Sequence, residues 1–336
     1  MRPDGDQLNM KTAILTHSLR LYVLCLCGLF YLPAWGQQSY PDRSIRMVLP
    51  FSAGGGTDVV GRIVAKGLSE RLKQPVVVDN KAGGGSTIGT DIVAKSAPDG
   101  YTLLFASASH SFSPTVYKQL PYSQDDFIAI AVVNITPLML TVHPSVGTKD
   151  LKSFIQVLKS QPEKFTYASS GVGTTLHIAA EMFVAAAGLK AVHVPYKGES
   201  PAMTDLLSGQ VSFMVGQAST AVPYLKNGRL LGLGLTTPKR MSSIPEIPTL
   251  SEAGLPDFSA YGWNVILAPK GTPRATIDRL NKEINAVISS PEVLARFTDL
   301  GLDVLELSTP ESAAQFVKNE TLKWAPVIRA AGLKNE

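Results

Sequence analysis

Apolar, strand-like runs alternate with segments of helical spacing along most of the chain, and no other feature limits the fold as strongly. "IRMVLPF" (45–51) is strand-like, while "DVVGRIVAKGLSERL" (58–72) repeats apolar residues every three or four positions. "PVVVDN" (75–80), "YTLLFAS" (101–107), "FTYASS" (165–170), "AVHVPY" (191–196) and "VSFMVG" (211–216) read as further strands. "STIGTDIVAKSA" (86–97), "LKSFIQVLKSQ" (151–161), "TTLHIAAEMFVAAAG" (174–188) and "SPAMTDLLSGQ" (200–210) read as the helices between them. Such alternation predicts an α/β fold whose parallel-rich sheets are covered by helices on both faces. The Pro-rich stretch "TTPKRMSSIPEIPTLSEAGLP" (236–256) reads as a surface loop.

The first 36 residues stand apart. A polar segment with Lys11 and Arg20 precedes the apolar "LYVLCLCGLFYLPAW", and "AWG" offers a small-x-small cleavage site before Gln37. This order is that of a secretory signal peptide, and the apolar run is shorter than the roughly 20 residues of a membrane helix. Met10, followed by Lys11, offers an alternative start. Cleavage after Gly36 leaves 300 of the 336 residues, enough for two domains, and removes both cysteines, Cys25 and Cys27. Loss of Arg2, Lys11, Arg20, Asp4 and Asp6 takes the formal charge from +4 to +3 without any basic block, which argues against nucleic acid as a partner.

One junction recurs. In "PFSAGGGTD", "NKAGGGSTIGTD" and "YASSGVGTTLH" a strand ends in a loop rich in glycine and hydroxyl groups, and the loop opens a helix. In parallel sheets ligands bind beyond the carboxyl ends of the strands. A helix start presents unpaired N–H groups and a partial positive charge, so it attracts anions without needing lysine. Ser and Thr in such loops also cap their own helices. Three junctions together favour a ligand site.

Several chemistries are disfavoured. The phosphate-loop pattern G-x-x-x-x-G-K-[ST] is absent, and "AGGGSTIGT" lacks the G-x-G-x-x-G spacing of dinucleotide binders. G-x-S-x-G does not occur, and the histidines show no metal-ligand spacing. No acid–base pair can be assembled, so no catalytic residue, metal or cofactor is expected. His177 falls in the first turns after "SSGVGTT", where it either points back at a bound anion or packs behind the loop.

These segments resemble a known family. "YPDRSIRMVLPFSAGGGTDVVGRIVA", "PVVVDNKAGGGSTIGTDIVAKSAPDGYTLL", "YASSGVGTTLHIAAEMF", "VHVPYKGESPAMTDLLSGQV", "IPTLSEAGLPDF", "LAPKGTP" and "KWAPVIRAAGL" resemble, in register, the substrate-binding proteins of tripartite tricarboxylate transporters, the Bug family. The resemblance runs from about Tyr40 to Leu333. It implies a monomeric, periplasmic, type 2-like Venus flytrap that closes on a small carboxylate without chemical change. The cargo would pass to the large and small membrane subunits of such a transporter or to a sensor protein. Lobe one would comprise 37–139 and 260–336, and lobe two 140–259. A secreted hydrolase of small carboxylates or esters is the alternative.

Carried over position by position, Ser52, Ala53, Gly54, Gly55, Gly56 and Thr57 match the family's first loop, with Asp58 expected as a helix-start cap. Gly84, Gly85, Ser86 and Thr87 match the second loop, and Ser107 ends a strand facing the cleft. Ser169, Ser170, Gly171, Gly173, Thr174 and His177 match S-S-G-x-G-T-x-x-H, while Tyr196 and Lys197 match "PYKG". The ligand-binding set expected from these matches comprises the first-loop residues 52–57, Gly85, Ser86, Ser107, Ser170, Gly171, Gly173, Thr174, His177 and Gln217. Where many relatives read V-D-L-M-F-D-N, this chain reads "VSFMVGQ", with Ser212 and Gly216 in place of acids. An acid that would bind an amine is therefore expected to be missing, which makes amino-acid ligands less expected.

Overall fold

The computed structural model describes residues 40–333 except 163 and 305, so the proposed signal peptide lies outside the described residues. Strands β1 (Ile45–Leu49), β2 (Val76–Asn80) and β3 (Thr102–Ser107) form a parallel set in the order β2-β1-β3. β1 is central, which is why Ile45, Met47, Val48 and Leu49 are fully buried. β2 is the outer strand, with Val77 half exposed and Asp79 paired to Arg46 at 2.6 Å. α1 (Gly56–Leu72) and α2 (Thr87–Ala94) connect these strands.

A second parallel set, β6-β5-β7, is built from β5 (Thr166–Ser169), β6 (Val192–Pro195) and β7 (Phe213–Gln217). α5 (Thr175–Ala186) follows β5, and α6 (Glu199–Leu207) follows β6. Two long antiparallel strands that the alternation did not predict join the sets. β4 (Phe127–Val142) pairs with β9 (Tyr261–Pro269) through Pro137, and then with β7 from Leu138 onward. β8 (Leu231–Leu235) also pairs with the second half of β4. Pro137 stands at this handover, where a residue without an N–H costs the ladder least. The complete order is β2-β1-β3-β9-β4-β7-β5-β6, with β8 attached to β4.

Helices finish the layers. α3 (Ser109–Val116) follows β3, α4 (Leu151–Ser160) follows β4, and α7 (Ala218–Leu225) follows β7. α4 starts in a capping box in which Asp150 accepts from the Ser153 N–H at 2.7 Å. After β9 come α8 (Arg274–Ile288), α9 (Pro291–Asp299) and α10 (Pro310–Ala330). α8 lies on α1, where Gly67 permits close approach: a Cβ there would fall 2.7 Å from Val287 Cγ1. α10 lies on α3 and β4, with Phe112 and Trp324 edge to face at 5.4 Å. Buried Glu320 on α10 accepts from Trp263 Nε1 at 3.0 Å and Trp324 Nε1 at 2.9 Å, pinning the last helix to β9. No helix among the described residues is long and apolar enough to cross a membrane.

Candidate functional site

The starts of five helices meet around one small cavity. Its wall takes Gly56, Thr57 and Asp58 from α1, Ser109 from α3, Thr175 and Leu176 from α5, Glu199 from α6, and the α7 cap Gln217. The middle of β4 and the start of β9 close the floor with Thr136, Leu138, Gly262, Trp263 and Asn264. Each helix start brings partial positive charge, and the lining has no Arg, Lys, His or Cys. The cavity measures about 30 Å³, roughly the space of one water molecule. Among the described residues, no group of three or more His, Cys, Asp or Glu is placed to hold a metal.

Of the expected ligand-binding residues, Gly55, Gly56, Thr57, Ser107, Ser170 and Gln217 line this cavity. Gln217 donates from Nε2 to Thr57 Oγ1 at 3.2 Å, while its own buried Oε1 has no partner. Ser107, Ser109 and Thr175 form a hydroxyl relay. Ser107 donates to Ser109 Oγ at 3.0 Å, and Ser109 Oγ accepts from the Thr175 N–H at 3.2 Å.

The remaining expected residues lie outside the lining, each for a visible reason. Ala53 and Gly54 are exposed, and the Gly54 N–H is taken by Asp58 Oδ2 at 2.9 Å. Ser52 lies against Gly198, where a Cβ would fall 2.1 Å from Ser52 Oγ. Ser86 is held within its own turn, its carbonyl accepting from Thr90 Oγ1 at 2.9 Å, and Gly85 serves a contact between loops. Tyr117 OH donates to Gly84 O at 2.9 Å and Val172 O at 2.7 Å, and a Cβ on Gly85 would meet both Tyr117 OH and Val172 O at 2.1 Å. Gly171 faces Gly85 across the same contact. Gly173 and Thr174 shape the third junction from behind: Thr174 Oγ1 donates to Gly171 O at 2.7 Å and accepts from Ser170 Oγ at 2.9 Å.

His177 packs and does not point at the cavity. Its Nδ1 accepts the Gly173 N–H at 3.1 Å, and its ring stacks on His193 at 4.0 Å, beside Tyr167. Burial, with the neighbouring His193, lowers its pKa to about 3; burial alone lowers His193 to about 4. Both imidazoles are therefore neutral in the fold and protonate more readily in the unfolded chain, near pH 6.5. Their contribution is fully present above that pH and is lost as pH falls towards 4. The melting temperature should drop over this window, and His193→Phe should make the drop shallower. An unchanged slope in thermal denaturation would remove the pair as the source.

Asp58 does not cap Gly55, the residue at the start of α1, but reaches back to the loop before it. Burial opposes its ionisation, but the Arg62 guanidinium at 2.9 Å, the Gly54 N–H and the Asn80 amide outweigh that and hold its carboxyl below the usual range.

Glu199 was not foreseen. Its carboxylate reaches the glycine loop from 143 positions away, Oε2 accepting the Gly56 N–H at 3.1 Å. Oε1 accepts the Gln217 N–H at 2.6 Å and the Thr220 hydroxyl at 2.8 Å. The glycines do admit a carboxylate to the start of α1, and here it is the chain's own. Burial pushes the Glu199 carboxyl up, against the pull of those three donors. In sequence, the only signal was an acid directly after "PYKG" and before a helix.

A mixed α/β frame with a hydroxyl- and amide-lined cavity among helix starts fits the class of two-lobed solute-binding proteins. Residues 60–333 match the tripartite tricarboxylate transporter family receptor, and the chain belongs to that family. It is similar to the periplasmic binding protein BugD, with 35% identity, a TM-score of 0.85, and coverage of 88% of this chain and 100% of that one. Rpa4515 of R. palustris, solved with adipate, shares 30% identity at a TM-score of 0.84, covering 87% and 98% of the two chains. MatC from Rhodopseudomonas palustris, solved with bound malate, shares 31% at a TM-score of 0.82, covering 86% and 100%.

Proposed function

We propose that this chain captures a small carboxylate in the periplasm and delivers it unchanged to the membrane subunits of a tripartite tricarboxylate transporter or to a sensor. The observation that carries the reading is the convergence of five helix starts on one cavity. The ligands named for its relatives, adipate and malate, are both carboxylates. Gly55, Gly56, Thr57, Ser107, Ser170 and Gln217 are the proposed contacts.

The proposed lobes are 37–139 with 260–336, and 140–259. A cavity of about 30 Å³ cannot hold a metabolite of several carbons, so loading requires the walls to part. The proposed pivot is where β4 changes partners, between Pro137 and Leu138. The first 36 residues are proposed to direct export and to be removed, leaving a monomer.

Thermal-shift measurements on purified protein with a panel of mono-, di- and tricarboxylates should give stabilisation by a narrow group of compounds. Product analysis of each hit should recover it intact. Ligand turnover at a catalytic rate would replace this reading with that of a secreted hydrolase.

A further inference from the structure

The strand pair at the proposed pivot has two faces, and the small cavity occupies one of them. Successive side chains along a strand point to opposite faces. On β4, Thr136 and Leu138 line the cavity, while Ile135 and Pro137 line a groove of about 620 Å³ on the other side. β9 follows the same division. Gly262 and Asn264 border the cavity; Tyr261, the register partner of Pro137, borders the groove and, like Trp263, donates to Glu320 on α10.

The walls of the groove come from both proposed lobes. Thr237, Met241 and Ser242 stand on the Pro-rich loop after β8, in lobe two; Thr298, Gly301 and Phe316 stand on α9, the turn after it and α10, in lobe one. Each wall is tied to β4 on its own side of the pivot. The Ile135 N–H donates to Asp303 O at 2.7 Å, and the Thr236 N–H donates to Leu138 O at 2.9 Å. The walls already touch where Met241 lies against Gly301: a Cβ on Gly301 would fall 1.7 Å from Met241 Cε.

We infer that this groove is the rear of the hinge, and that the side-chain volume lining it sets the balance between the open and closed chain and thereby the affinity for the cargo. This rests on the capture reading above, which requires the walls of the cavity to part. A cavity and a groove on opposite faces of one bending strand pair cannot both widen. Parting the lobes at the cavity swings the Pro-rich loop towards Thr298 and Gly301 and takes up the space behind β4. Packed side chains do not compress, so bulk added there opposes opening. Apparent affinity follows the population of the state that grips the ligand, here the closed one.

Ser242→Trp and Thr298→Trp add bulk from opposite walls, at exposed positions outside the cavity. Each should bind malate, adipate or the tightest compound of the carboxylate panel at least threefold more tightly than wild type by calorimetric titration. Each should also show a smaller radius of gyration than wild type without ligand, by small-angle X-ray scattering. Glu246→Trp, exposed on the same loop but outside the groove, should change neither. Melting curves check that the variants fold, and either groove variant suffices for the test. Unchanged or weaker binding by a folded groove variant, or an unchanged ligand-free radius, overturns the inference and leaves carboxylate capture intact. If no carboxylate binds wild type or variants, the capture reading falls, and the ligand-free radii still decide whether the groove governs opening.

Discussion

Replacing Gly56 by valine should abolish ligand binding, at least a hundredfold loss, with little change in melting temperature. Gly56 is the first residue of α1 and has helical backbone angles, so a side chain brings no strain of its own. A Cβ there would fall 1.8 Å from Gln217 Oε1 and 2.6 Å from its Cδ. The end of the glutamine side chain can swing away, which makes the substitution tolerable to the fold. The displaced amide and the new isopropyl group then occupy a cavity that measures only about 30 Å³ when closed. Calorimetric titration with a solute found by thermal shift, together with a melting curve, measures both quantities. Unchanged affinity would mean that the glycines serve the turn and not the ligand.

Trp263→Ala should produce the largest loss of stability of any substitution considered, about 3–5 kcal/mol for truncating a buried tryptophan. Trp263 is 1% exposed, stacks edge to face on Phe316 at 5.2 Å, and donates to Glu320 at 3.0 Å. Its removal opens a void where β9 meets α10 and takes one donor from a buried carboxylate. For a domain of this size, each kcal/mol lowers the melting temperature by about 2–4 °C, so a fall of about 6–20 °C is expected by calorimetry. Trp263→Phe should fall in between, since it keeps much of the packing and loses the hydrogen bond. A drop of under about 2 °C for the alanine variant would show that α10 is not held through this residue.

Local sequence carried a large part of the fold. The six parallel strands and the helices α1, α2, α4, α5 and α6 were legible because apolar periodicity changes sharply at glycine and proline. Asp58 was legible as a residue tied to the start of α1 because two of its partners, Gly54 and Arg62, lie within four positions of it. β4 and β9 were not. "FIAIAVVNITPLMLTV" is almost entirely buried, so it lacks the alternation that marks a half-exposed strand, and its change of partners at Pro137 depends on strands remote in the chain.

The candidate site divides along the same line. By itself the sequence determined that helix starts rich in glycine and hydroxyl groups would attract an anion, because N–H exposure and dipole direction are local properties of a helix. Only the tertiary structure decided which starts converge. It brought in α3, α6 and α7, and it set the second glycine junction against the third through Tyr117, away from the cavity. It also turned His177 back onto its own loop and carried Glu199 to Gly56. A hydrogen bond over 143 positions has no signature in spacing, since the strand order that brings the two residues together is fixed by the packing of the whole sheet.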